Sequence, residues 1–332
     1  EEGRGDHGSA DWTAAAAVGA IRMISMLDFR RFAMEPSGFV ADLGAACRGP
    51  GFLLLTGHGV DAALCTAVFQ QADAFFALPD AEKAELSILN SRHNRGWGAP
   101  GDEALNAASG QVDSKETFNI GLDLARDDPR VCAGEPFRGP NQWPDLIGFR
   151  ATMTAYFDAM LALGISLHRA FARDLGLSEE YFSPFFTDSM SNLRLLRYPT
   201  ATGSAGQIGA GAHTDYGAIT LLMTDGEAGL QVRTRNGDWT DVPHVEDAFV
   251  INIGDCLMRW TNDIYVSTPH RVLPPRRTRR SVAFFLEANP DTVIAALPGT
   301  GEPRYRPVLA ADYLLDRLGA TYEPGQVGAT CT

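Results

Sequence analysis

The rhythm of apolar and polar positions changes twice along the chain. "GFLLLTGHGV" (residues 51–60) is an apolar run closed by a glycine-flanked turn, which predicts a short buried strand. "DAALCTAVFQQADAFFALP" (61–79) carries apolar residues at helical spacing and stops at Pro79, so a helix is expected there. Residues 80–135 are richer in polar residues and glycine, and their loops are candidates for a pocket wall. A long helix follows: Leu146, Phe149, Met153, Phe157, Met160, Leu167, Phe171 and Leu175 fall on one face, with Asp145 as the expected cap and Gly176 as the stop. Such a helix would be on the order of 45 Å long, enough to support a sheet. After Ser191 the period shortens. "LRLLRY", "AITLLMT", "GLQVRTR", "DAFVINIG", "YVSTPHRV" and "RSVAFFLE" read as short strands, and "RTRNGDWT" carries the Asn-Gly signal of a tight hairpin. Helices followed by many short strands predict an α+β chain with a sandwich or barrel core, preceded by an α-rich N-terminal region and the long supporting helix. The expected divisions are a flexible arm over 1–22, a helical region over 23–190, the strand-rich core over 191–290 and a closing segment with a helix over 291–332, all in one structural unit.

Composition narrows the partners. At 332 residues, with 45% hydrophobic and 21% charged residues, the chain can bury a sizeable core. Its formal net charge of -13 argues against nucleic acid or an anionic membrane, since no basic block offsets the repulsion. A small molecule or another protein remains. Cys47, Cys65, Cys132, Cys256 and Cys331 are odd in number and widely spaced, which suggests reduced thiols in a cytoplasmic protein rather than a disulfide framework. Ala14 to Ala17 follow an acidic leader and do not read as a signal peptide, and no stretch approaches the roughly 20 apolar residues of a membrane helix. Met23 and Met26 are candidate starts, so the arm is assigned no function.

Candidate chemistry begins at "GAHTDYGAIT" (211–220). At a strand edge, His213 and Asp215 stand two apart and point to the same side. Two histidines and one carboxylate on one face are the ligand set of many non-haem iron(II) oxygenases, so a second histidine is required. His270 in "STPHRV" is the best placed, because Pro269 forces an extended approach in a later strand-like segment. By itself the H-x-D pair is weak evidence of a metal site, since it arises often by chance and reads more readily as a polar turn. In "RRSVAFF", Arg279 and Ser281 also stand two apart and could clamp a carboxylate, or Arg279 could close a salt bridge at the barrel rim. Tyr198 in "LLRYP" could add a phenol donor or be a buried tyrosine bonded to backbone.

Taken together and in order, "GFLLLTGHGV", "FFALPDAEKAEL", "RGW", "KETFNIG", "LRLLRYP", "HTDYGAITLL", "GLQV", "FVINIGD", "RWTND", "STPHRV", "RRSVAFF" and "ADYLLDRLGATY" resemble the isopenicillin N synthase-like family of iron(II)/2-oxoglutarate-dependent dioxygenases over Leu27 to Tyr322. The resemblance implies a double-stranded β-helix, or jelly-roll, core. It also implies Fe(II) held by His213, Asp215 and His270, and 2-oxoglutarate seated through Arg279, Ser281 and Tyr198. The implied reaction uses O2, releases succinate and carbon dioxide, and oxidises a small organic metabolite, with hydroxylation as the default outcome. One departure is visible: where many plant members have asparagine, this chain has Leu196.

Rival readings are an iron(II) oxidase of the isopenicillin N synthase type that does without 2-oxoglutarate, a zinc hydrolase, and a non-catalytic binding protein of the same fold. The hydrolase would need a general base, and the motifs offer no obvious glutamate. By position, Trp97, Phe118 and Asn192 are candidates to line the substrate pocket, although each could be core or turn. Arg95 and Arg194 could attract an anionic substrate or be rim charges.

Overall fold

A computed structural model of the chain describes residues 24–102, 113–203 and 207–319. The expected arm over 1–22, Cys331 and the last residues of the closing segment lie outside them. The strands are β1 (Ser25–Asp28), β2 (Phe52–Thr56), β3 (Gly96–Gly98), β4 (Glu116–Gly121), β5 (Asn192–Tyr198), β6 (Ala210–His213), β7 (Ile219–Thr224), β8 (Leu230–Arg233), β9 (Trp239–Asp241), β10 (Phe249–Ile253), β11 (His270–Val272) and β12 (Arg279–Leu286). The principal helices are α1 (Pro36–Arg48), α2 (Ala62–Phe76), α3 (Phe149–Asp174), α4 (Asp255–Trp260) and α5 (Ala310–Gly319).

Two sheets face one another in the jelly-roll. The larger has eight strands in the order β1-β2-β10-β7-β12-β5-β4-β3, and the smaller has four in the order β6-β11-β8-β9. All pairings are antiparallel except β1 with β2. Strand alternation divides the large sheet's side chains between two cores. Leu53 and Leu55 of β2, with Leu193 and Leu195 of β5, turn outward to the helices, whereas Phe52, Leu54, Leu196 and Tyr198 turn inward to Leu230, Val232 and Val272 of the small sheet. Both faces of the sheet are therefore covered, which is why its strands read as apolar runs rather than clean alternations.

The helix α3 lies along the outer face of the sheet. Its Phe149, Met153, Phe157, Met160, Leu167 and Phe171 are all buried, and Phe157 meets Phe284 of β12 edge to face at 5.1 Å. Asp145 is not its cap. The Leu146 amide bonds to the Pro144 carbonyl, the chain turns, and Gly148 at φ 83° opens the helix with no side-chain cap. Asp61 caps α2, accepting from the Ala63 amide. The Asn-Gly turn does join two hairpin strands, β8 and β9, but by a longer connection than a tight turn: Arg233 pairs with Trp239, and Thr234 closes on Gly237 and Asp238. Among the described residues no helix is long and apolar enough to cross a membrane.

Candidate metal centre and adjoining cavity

Strands β6 and β11 are antiparallel neighbours whose register sets His213 opposite His270. Cross-strand partners on one face are close, and here the two ring centroids are 4.3 Å apart. Asp215 follows just beyond the end of β6 and brings Oδ1 to 3.7 Å from His213 Nε2 and 3.5 Å from His270 Nε2. One ligand atom from each of the three residues falls within 4.8 Å of the others.

The surrounding hydrogen bonds decide which atoms are available. His213 Nδ1 lies 2.7 Å from the Gly211 carbonyl, and His270 Nδ1 lies 3.2 Å from the Thr268 carbonyl. A carbonyl can only accept, so each Nδ1 carries the proton and each Nε2 presents its lone pair to the shared space. Asp215 Oδ2 accepts from Asn252 Nδ2 at 2.7 Å and from the Thr220 hydroxyl, which leaves Oδ1 toward the histidines. Three donor atoms thus converge on one point and, among the described residues, meet only one another there, which fits a divalent metal of the iron(II) type.

Electrostatics support the same reading. Burial, with His270 alongside, pushes His213 down to about 4, so it is the neutral ligand form at neutrality. For Asp215 burial opposes ionisation, but His270, His213 and Thr220 outweigh it and hold the carboxyl below its usual range. Burial would likewise lower His270, and the Asp215 carboxylate reverses the direction.

Two groups absent from the sequence reading hold this arrangement in place. Asp255, at the start of α4, donates its amide to the Asp215 carbonyl at 2.8 Å, and its carboxylate accepts from Thr214, Ser267 and Tyr313 while pairing with Arg317 at 3.3 Å. It therefore ties the loop of Asp215 to the approach of β11 and to α5. On the other side, Asp113 accepts from the Gly211 amide at 2.9 Å and forms a buried ion pair with Lys115. Neither stands at a spacing that marks it.

The large sheet forms the facing wall of the cavity. Alternate residues of β12 and the next position, namely Arg279, Ser281, Ala283, Phe285 and Glu287, line it beside Asn192, Arg194, Leu196 and Tyr198 of β5. The register puts Arg279 opposite Tyr198 and Ser281 opposite Leu196. Arg279 is 1% exposed, bonds the Ser281 hydroxyl at 3.2 Å and the Glu227 carbonyl at 3.3 Å, and lies over the Tyr198 ring at 5.0 Å. It makes no ion pair with a carboxylate among the described residues, because Glu227 is taken by Arg277 and Asp225 by Arg280. The rim salt bridge is excluded, and a buried guanidinium without a counter-charge is left facing the cavity.

Of the substrate candidates Asn192, Arg95 and Arg194 border this space, and Trp97 and Phe118 do not. Trp97 turns away to bond Glu116 and to lie under Lys83, and Phe118 packs against Phe75 and Phe149 in the helical core. The two are register partners on β3 and β4, at the far edge of the sheet, where the outward face meets helices. Arg95 is no rim charge: it borders the cavity from a buried position, with its Nε unpartnered among the described residues. It is buried, donates to the His93 and Phe137 carbonyls, and is pushed down to about 10 by burial and by Arg138. Arg194 is half-buried and donates to Asn119 Oδ1 at 2.8 Å. Glu287, which the sequence motifs did not single out, does border the cavity.

Comparison with known proteins settles the family. Residues 188–288 match the model of the 2OG-Fe(II) oxygenase superfamily, and residues 24–146 match that of the non-haem dioxygenase in morphine synthesis N-terminal region. The chain is 35% identical to the 2-oxoglutarate-Fe(II) type oxidoreductase hxnY of Emericella nidulans, over 90% of both proteins. It belongs to the 2OG-Fe(II) oxygenase superfamily. Clavatol oxidase claD of Penicillium crustosum is 32% identical over 90% of this chain and 96% of that protein. Among solved structures, full-length Neurospora crassa T7H in complex with alpha-KG superposes with a TM-score of 0.80 at 34% identity, covering 90% of this chain and 96% of that one. The chain is accordingly an iron(II)- and 2-oxoglutarate-dependent dioxygenase that uses O2, with the jelly-roll fold its strand pattern implied.

Proposed function

We propose that this dioxygenase hydroxylates a C–H bond of a small organic molecule, with His213, Asp215 and His270 as the iron ligands and Arg279, Ser281 and Tyr198 seating the distal carboxylate of 2-oxoglutarate. The observation that carries the assignment is the pairing of two features across one cavity: two Nε2 atoms and one Oδ1 kept free by their neighbours, and a buried arginine with no counter-charge. Iron(II) with 2-oxoglutarate supplies oxidative decarboxylation of the keto acid and the oxidising power for an unactivated C–H bond. The chain's own residues orient and exclude. Asn252 and Thr220 fix the Asp215 carboxylate so that one oxygen serves as ligand. Phe52 packs edge to face on His270 at 5.4 Å and keeps water from that side of the ring. The Arg279 fork, braced by Ser281 and the Glu227 carbonyl, gives the cosubstrate one orientation.

A compact substrate is supported by structural neighbours: Neurospora crassa T7H has been solved with alpha-KG and thymine, and with alpha-KG and 5-formyluracil. Use of 2-oxoglutarate, rather than electrons from the substrate alone, is supported by the uncompensated charge of Arg279. We also read 23–190, 191–290 and 291–332 as one structural unit, which the entry of β1 to β4 into the large sheet supports. A cytoplasmic setting fits Cys47, Cys65, Cys132 and Cys256, which are unbonded. The test is incubation of the full chain with iron(II), ascorbate, 2-oxoglutarate and a panel of small molecules that includes thymine. Succinate formed in step with a product that has gained one oxygen atom supports hydroxylation; 2-oxoglutarate consumed in step with a product that has lost two hydrogens would replace hydroxylation by desaturation or ring closure.

A further inference from the structure

At the opposite end of the β5–β12 wall from Arg279, two buried side chains have acceptor oxygens with no partner among the described residues. Glu287 is 6% exposed, and neither carboxyl oxygen makes a hydrogen bond or ion pair among the described residues. Its backbone is firmly held, the amide donating to the Ser191 hydroxyl and the carbonyl accepting from Ser189, so the position of the side chain is set by the sheet and not by its own contacts. Asn192 is 9% exposed and its Oδ1 is also unpartnered. The two are close neighbours on the wall, since Phe285 pairs with Asn192 across β12 and β5 and both line the cavity with Glu287. The chain makes room for the carboxyl: a Cβ on Gly217, two residues after Asp215, would lie 2.5 Å from Glu287 Oε1.

We infer that Glu287, with Asn192 beside it, is a specificity-determining residue that reads an N–H-bearing edge of the primary substrate, the cyclic amide or lactam group being the class that fits. The inference rests on the proposed function of the same cavity. A buried carboxyl with no partner loses its hydration without replacement, and the deficit is removed only when a ligand brings a donor. In either charge state the Glu287 carboxyl keeps an oxygen that accepts, so it and the Asn192 carbonyl oxygen can each take an N–H from an amide edge. A substrate edge that offers acceptors alone would leave Asn192 Oδ1 and one Glu287 oxygen unpaired, and is selected against.

The experiment uses matched pairs of small cyclic amides and their N-methylated counterparts, beginning with thymine and its N,N'-dimethyl derivative. They are titrated into the full chain loaded with zinc(II) and 2-oxoglutarate, with binding followed by ligand-observed NMR. The N–H members should bind the wild type about tenfold more tightly than the methylated ones, the factor expected from one buried acceptor left unpaired. That preference should fall to about twofold or less in Glu287→Leu and be largely kept in Glu287→Gln, whose amide keeps an acceptor oxygen. 2-Oxoglutarate affinity, read in the same samples, should be unchanged in both variants, which shows that they are folded with the anchor intact. Equal preference in wild type and Glu287→Leu, absence of any preference in the wild type, or no binding of the N–H members overturns the inference. Loss of 2-oxoglutarate binding in the wild type itself would instead overturn the proposed function.

Discussion

Strands β5 and β12 build both ends of the cavity, but they leave the polar groups at the two ends in different states. Around Arg279 and the metal ligands the side chains are oriented by internal bonds, the guanidinium by Ser281 and the Glu227 carbonyl, the histidine Nδ1 atoms by carbonyls and Asp215 Oδ2 by Asn252 and Thr220, while the Arg279 charge itself stays uncompensated. At the Glu287 end the backbone is held and two side chains are not, since among the described residues Asn192 Oδ1 is unpartnered and the Glu287 carboxyl makes no hydrogen bond or ion pair. Ligand geometry has to be fixed before reaction, so its supporting bonds are internal to the protein. Recognition of a substrate is a difference in free energy between bound and empty sites, and groups that the protein itself satisfies contribute little to that difference.

Substitutions can break this contrast at graded strengths. Asp215→Ala or His213→Ala removes a converging ligand atom, and iron binding or turnover should be abolished; activity near that of the wild type, measured as succinate release, would remove the metal assignment. Arg279→Leu should weaken 2-oxoglutarate by about a hundredfold or more while sparing metal affinity, since it deletes a buried charge-assisted anchor. An unchanged affinity by calorimetry would put the anchor elsewhere. Asn252→Ala, one bond further out, should lower metal affinity by roughly tenfold to a hundredfold without altering the substrate preference set at the Glu287 end. Equal loss at both ends would show that they are one coupled unit. Phe118→Ala sharpens the contrast from outside: it should cost about 3–5 kcal/mol in unfolding free energy and leave cosubstrate affinity of the folded protein unchanged. A shift in that affinity would return Phe118 to the pocket.

The two ends were also unequally legible in the sequence. His213 with Asp215, and Arg279 with Ser281, advertise themselves because residues two apart on a strand share a face, and His270 follows once a second imidazole is required. The strand segments and the face of α3 were readable from period alone, whereas its start was not, since the turn at Pro144 and Gly148 depends on a backbone bond rather than on a capping side chain. Trp97 and Phe118 misled because an aromatic in a strand has the same local signature whether it faces a cavity or a helix, and only the position of β3 and β4 at the sheet edge decides. Glu287 continues the alternation of Arg279 and Ser281 along β12, but a glutamate at the end of a strand has an ordinary reading as a solvated charge. The room for it depends on Gly217, distant in sequence.

The most direct test of the central claim is an anaerobic titration of the iron(II)-loaded full chain with 2-oxoglutarate, followed through the weak visible charge-transfer absorption of keto acid chelation. The account predicts that the band appears and saturates in the wild type, needs far higher 2-oxoglutarate in Arg279→Leu, and is absent in Asp215→Ala. Stoichiometric iron binding by the wild type with no band at any concentration of 2-oxoglutarate would contradict it.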